Sequence, residues 1–173
     1  MRYRDQPTVE VTQPVRCDVA AAWNLLTDIE LPVRCSPELR AVQWLGDADA
    51  VRVGARFRGT NHNDALGTWE ADCEIVEVED QGDVRRWVWN VLVPDGVGAT
   101  WAFEVEPARE GVLIRQWGRM GPDPSGLSTV IAARPELEGR IVSRRLSDWE
   151  QGMRANLDYV RAALEEPAEP ERD

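Results

Sequence analysis

The chain has 173 residues, 43% of them hydrophobic, with a formal charge of -11 and an isoelectric point near 4.6. This length and apolar share fit one domain with a sizeable core, and the net negative field excludes a surface that tracks nucleic-acid phosphates. All 20 basic residues are arginine, which excludes Schiff-base and lysine general-base chemistry.

Cys17, Cys35 and Cys73 are an odd set without close spacing, and no apolar leader or long hydrophobic run is present. A soluble protein of a reducing cytoplasm is expected, with no membrane insertion. Part of the acidic charge sits from Glu165 to Asp173 and reads as a solvated, fraying end. His62 is the single histidine, so histidine-pair catalysis and multi-histidine metal sites are excluded by counting. No metal or other cofactor is expected.

In chain order, Thr8 to Thr12 alternates around Val9 and Val11 and predicts a first strand closed by Pro14. Asp18 is a suitable N-cap for a helix from Val19 to Leu26, whose Ala20, Ala21 and Ala22 favour helix. A second short helix is predicted from Asp28 to Arg34, ended by Ser36-Pro37.

The period then changes to two, with turn residues between runs, as in an antiparallel meander. Strands are predicted at Leu39 to Leu45, Ala55 to His62, Thr68 to Val78, Val84 to Leu92, Ala99 to Glu106 and Val112 to Met120. One set of alternating positions is apolar and aromatic: Phe57 and Asn61; Trp69 and Cys73; Trp87 and Trp89; Trp101 and Phe103; Ile114 and Gln116. The other set carries Arg58, Asp72, Glu74 and Arg115, which are therefore expected outward.

Pro135 to Leu164 is the longest helical signal, and Leu127 to Ala133 is expected to supply its first turns. Val142, Leu146, Trp149, Met153, Leu157, Val160 and Leu164 form one apolar stripe. The aromatic face of a twisted sheet needs such a helix against it, which predicts an α+β domain of seven strands with element order β-α-α-β6-α.

Asp28-Ile29-Glu30, Ser36-Pro37-Glu38, Trp44-Leu45-Gly46, the run Gly54 to Gly59, Asn61, Trp69, Cys73, Trp101 and Gly111, together with this order, resemble the polyketide cyclase/dehydrase and lipid-transport family of the START-like helix-grip (SRPBCC) superfamily. The likeness spans nearly the whole chain from about Val9. It departs from the family pattern at Cys35, where an aromatic is frequent, and at Gln116, where an acidic residue is frequent. The resemblance implies a single helix-grip domain over 1–173, with a core of about 8–165 and an acidic tail at 166–173. It further implies a curved antiparallel sheet around a long C-terminal helix, with a cavity between them for an apolar small molecule.

The candidate ligand-binding residues are Phe57, Asn61, Trp69, Trp87, Trp89, Trp101, Phe103, Gln116, Trp149, Met153 and Tyr159. Two readings of the indoles stay open, core packing and cavity wall. Asn61 and Gln116 either bond each other or water, or orient a ligand. His62 is read as an exposed turn residue, with a titrating group at the cavity mouth as the alternative. The hairpin ends at Asn63 to Gly67 and Val93 to Val97 and the connector Gly121 to Gly126 are candidate gates.

No catalytic set is assigned, so binding or carriage of a polyketide, lipid or aromatic molecule comes first. A polyketide aromatase/cyclase/dehydrase is the alternative. The third possibility is a structural or regulatory role, with the cavity filled by tryptophan. Monomer and homodimer both stay open.

Overall fold

The computed structural model describes residues 1–64 and 66–165; the tail read at 166–173 lies outside them. A short 3-10 turn at Tyr3–Asp5 precedes strand β1 (Thr8–Val15), helix α1 (Val19–Leu26) and a second 3-10 turn at Leu31–Arg34. Six strands follow: β2 (Leu39–Leu45), β3 (Arg56–Asn63), β4 (Gly67–Glu79), β5 (Arg85–Val93), β6 (Gly96–Ala108) and β7 (Gly111–Met120). The chain then forms α2 (Gly126–Ala133), a 3-10 turn at Pro135–Leu137 and α3 (Glu138–Leu164).

The strands build one seven-stranded sheet in the order β1-β7-β6-β5-β4-β3-β2, and every neighbouring pair is antiparallel. The chain therefore forms the expected α+β helix-grip fold. Register shifts at Leu39/Ala41, Ile75/Glu77 and Val91/Leu92 add the bends by which the sheet curls around α3.

Local chemistry accounts for most element ends. The Asp18 carboxylate accepts from the Ala21 N–H at 2.7 Å and starts α1. At the start of α2 the Ser128 hydroxyl accepts from the Ser125 N–H at 3.0 Å. Three of the differences from the sequence reading have local causes. β1 runs through Pro14 to Val15, because β1 is an edge strand and an edge tolerates a missing N–H. The second predicted helix is only the 3-10 turn at Leu31–Arg34. Residues 127–133 belong to the separate helix α2: Arg134 is non-helical (φ -145, ψ 66), the conformation favoured before a proline, and Pro135 cannot continue the ladder.

Helix α3 has 27 residues and so extends about 40 Å at 1.5 Å per residue. It buries Val142, Leu146, Met153, Asn156, Leu157 and Val160. The main core joins Met153, Leu157 and Val160 to Trp23 and Leu26 of α1, Leu31, Phe57, Ile75, Trp87, Phe103 and Ile114. Met120, Val142 and Leu146 make a smaller cluster beneath Tyr3, Leu127 and Ile131. Glu165, read as the first residue of a fraying end, is instead held: its carboxylate accepts from the Arg16 N–H at 2.8 Å and from Arg161 Nε at 3.1 Å.

The outer sheet face carries the charges, as the alternation required. Arg58 and Asp72 lie directly opposite on β3 and β4 and pair through two hydrogen bonds of 2.5 and 3.0 Å. Arg115 on β7 bridges Glu10 on β1 and Glu104 on β6. The hydrogen bond from Arg58 holds the Asp72 carboxyl below its ordinary value of 3.8, so its ionised form favours the folded state. That contribution is complete above the ordinary value and is lost as pH falls through the lowered one. Asp72→Asn should therefore narrow the stability difference between pH 7 and pH 2.5 in urea titrations. The effect should be small, because the pair is half-exposed; an unchanged pH dependence would show that the bridge adds nothing.

Candidate functional site

A cavity of about 580 Å³ lies between the concave sheet face and α3. Its wall is set by two periodicities. Strands contribute alternate residues, Phe57 and Asn61 from β3, Trp69 and Cys73 from β4, Trp87 and Trp89 from β5, Trp101 and Phe103 from β6, and Gln116 from β7. Helix α3 contributes Arg145, Asp148, Trp149, Gly152, Met153 and Asn156, the i, i+3, i+4, i+7, i+8, i+11 spacing of one helical face.

Ten of the eleven candidate residues thus border one space. Tyr159 does not: it packs against the main core, one turn beyond Asn156, the last cavity-lining residue of α3. His62 is also off the wall, on the opposite face of β3 from Asn61, with Nδ1 2.9 Å from Thr68 Oγ1. Asn90 of β5 is off the wall too, and its Oδ1 accepts from Thr100 Oγ1 at 2.9 Å.

The rings form a continuous line. Trp87 stacks on Trp89 at 4.3 Å, Trp89 faces Trp101 at 6.4 Å with 12° between planes, and Trp101 meets Trp149 at 4.6 Å. Trp89 and Trp101 are direct cross-strand partners, which fixes their near-parallel planes. The indoles line the space without filling it, and the third sequence-based possibility loses its premise.

Two polar devices border the cavity. Glu38 accepts two hydrogen bonds of 2.6 Å from Arg145, and the guanidinium lies 5.6 Å from the Trp69 ring and 5.7 Å from the Trp149 ring. Deeper in, Gln116 and Asn156 are only 3% and 5% exposed, and Asn156 Nδ2 donates to Gln116 Oε1 at 3.1 Å. Asn61 and Gln116 do not bond each other, and no side-chain hydrogen bond engages Asn61 among the described residues.

The sequence reading missed Arg145, Glu38 and Asn156. The signal for Asn156 was its place on the α3 stripe, three residues after Met153. For Arg145 it was the four-residue spacing to Trp149.

One end of the cavity is bordered by Leu66 of the β3–β4 turn, by Val93 and Gly98 of the β5–β6 hairpin, and by Leu127 of α2. The connector is fastened there. The Asp123 carboxylate accepts from the Val97 N–H at 2.8 Å, and the Tyr3 hydroxyl donates to the Asp123 carbonyl at 2.9 Å. Gly96, at φ +149, is required beneath it, since a Cβ there would lie 2.0 Å from Asp123 Oδ2.

The wall holds no activated thiol. Burial pushes Cys73 up to about 12 and raises Cys35, so both stay protonated at neutral pH. Among the described residues no group of three or more His, Cys, Asp or Glu is placed to hold a metal ion. Among the described residues no helix is long and apolar enough to cross a membrane. A second cleft of about 560 Å³, beside Trp23 and Trp44, is rimmed by Asp28, Glu30, Asp49 and Asp80 and faces solvent.

The sequence model described as polyketide cyclase/dehydrase and lipid transport matches residues 6–165. The chain belongs to this family. A polyketide-cyclase-like protein from Corynebacterium glutamicum is 23% identical, with a TM-score of 0.61 over 91% of each chain. The di-domain ARO/CYC StfQ from the steffimycin biosynthetic pathway is 19% identical, with a TM-score of 0.67. That alignment covers 94% of this chain and 52% of StfQ, so the family domain here spans about half of the di-domain protein. Ara h 8.0201 is 14% identical, with a TM-score of 0.56 over 89% of this chain and 97% of its own. At these identities the likeness is one of fold. No curated protein sequence gives a significant match.

Proposed function

We propose that the protein binds a planar, apolar small molecule of polyketide, aromatic or lipid type between the sheet and α3, as a binding or carrier protein. The observation that carries this reading is the line of rings from Phe57 through Trp89 and Trp101 to Trp149 along a cavity of about 580 Å³. Flat indole faces match a planar guest, and the volume lies within the range of small-molecule sites, roughly 300–1,000 Å³. A polyketide cyclase or dehydrase is the second reading. It is favoured by the Asn61 and Gln116 amides on the wall, which can orient a chain of carbonyls, and by the fold shared with the di-domain ARO/CYC StfQ.

Titration with polycyclic and fatty probes tests the cavity. At about -0.3 kcal/mol per heavy atom a 20-atom polycycle reaches roughly -6 kcal/mol, a Kd of tens of micromolar. Tryptophan fluorescence should be quenched with that midpoint, and native mass spectrometry should record one guest per chain. No quenching and no adduct across the panel would overturn binding in the cavity. Conversion of an added poly-β-ketone to a cyclised product would favour the enzyme.

A further inference from the structure

We propose that the buried end of the cavity is a hydrogen-bond donor site, formed by the Gln116 amide and oriented by Asn156 and Cys35, which selects ligands carrying a carbonyl or similar acceptor oxygen on their inserted edge. The inference rests on the cavity reading above and specifies the ligand that reading leaves open.

Gln116 is 3% exposed and lines the cavity. Its Oε1 is occupied by Asn156 Nδ2 at 3.1 Å, and among the described residues its Nε2 has no protein partner. This amide nitrogen faces the cavity space with two N–H groups and no protein acceptor, so an acceptor oxygen entering the cavity can complete it.

The direction of the amides follows from the third member of the chain. Cys35 Sγ lies 3.4 Å from Asn156 Oδ1 and 3.5 Å from the Leu31 carbonyl, two acceptors facing one S–H. Sulfur is a weak acceptor. Turned round, Asn156 would aim its N–H at sulfur and leave the thiol only the Leu31 carbonyl at 3.5 Å. Asn156 therefore keeps its oxygen toward Cys35 and its nitrogen toward Gln116. Gln116 in turn presents nitrogen, not oxygen, to the cavity. Cys35 thus acts as a positioning residue, two side chains removed from the ligand. The Asn61 amide, also on the wall and without a side-chain partner, accommodates polar atoms elsewhere on the guest.

Three rigid probes of nearly equal shape test this by equilibrium dialysis: fluorene, with no polar group; 9-fluorenone, with an acceptor oxygen; and carbazole, with an N–H donor. The native protein should bind fluorenone about 3- to 10-fold more tightly than fluorene, the usual yield of one hydrogen bond, and should not prefer carbazole. Gln116→Met, close in volume, should lose the preference for fluorenone over fluorene. Cys35→Ala should reduce the ratio of fluorenone to carbazole binding, a readout that loss of packing alone would not move.

Equal binding of fluorene and fluorenone overturns the donor site while leaving the cavity reading in place. Tighter binding of carbazole overturns it by reversing the amides. Failure of all three probes to bind overturns it together with the cavity reading. The native comparison needs no variant, so misfolding of either substitution leaves the test intact.

Discussion

Trp87→Ala should lower the stability of the domain by about 3–5 kcal/mol, the usual cost of emptying a large aromatic site in a core. Trp87 is 2% exposed. It stacks on Trp89 at 4.3 Å and lies against Phe103 at 6.1 Å and Phe57 at 6.4 Å. Its Nε1–H donates at 3.0 Å to the carbonyl of Leu26, the last residue of α1, whose terminal carbonyls lack partners within the helix. The side chain therefore joins α1 to the sheet as well as filling space. Trp87→Phe separates these roles, because it retains most of the ring and loses the donor; about 1–2 kcal/mol is expected. Urea denaturation should give the two losses as shifts in midpoint at constant slope. Indole added to Trp87→Ala should recover part of the loss by occupying the vacated site. A loss below about 1.5 kcal/mol for the alanine variant would mean that the neighbouring rings collapse into the gap, and the ring line would then be plastic rather than a fixed wall.

The periodic parts of the structure were legible in the sequence. Strand alternation placed Trp69, Trp87, Trp89 and Trp101 on one face because the side-chain period of a strand is two, and the α3 stripe placed Trp149 and Met153 opposite them. Local chemistry fixed α1, where Asp18 caps a run of alanines. What escaped depends on contacts between distant parts of the chain. Glu38 and Arg145 are 107 positions apart, and neither has an intrinsic feature that names the other. Tyr3 lies before the first predicted strand, yet its hydroxyl reaches Asp123 and Ser125. Gln116 was correctly sent inward, but its partner is Asn156 on α3 rather than Asn61, because parity gives a direction and not the height of the opposing helix residue. Tyr159 fails for the same reason: it follows the cavity-facing phase of α3 and lies past the end of the cavity.

Breaking the Glu38–Arg145 bridge should have the second largest effect and should act on both stability and ligand exchange. The side chains are 21% and 15% exposed, so the pair is mostly buried but retains some contact with water. Glu38→Gln leaves the guanidinium between Trp69 and Trp149 without its counter-charge and should cost about 2–3 kcal/mol, below the roughly 3–5 kcal/mol of a fully buried broken pair. Arg145→Met keeps an unbranched apolar chain between the two indoles, and Glu38 retains a hydrogen bond from Asn63 Nδ2 at 3.2 Å. About 1–2 kcal/mol is expected there. The double variant should lose less than the sum of the two, by about 1 kcal/mol or more, since each single change strands the other partner. Because the bridge ties the segment before β2 to α3 beside the cavity, both single variants should also release a bound polycycle faster than the native protein in stopped-flow displacement. Additive stability losses with unchanged release rates would mean that Glu38 and Arg145 act as independent surface charges, leaving the rings and the Gln116 amide to hold the ligand.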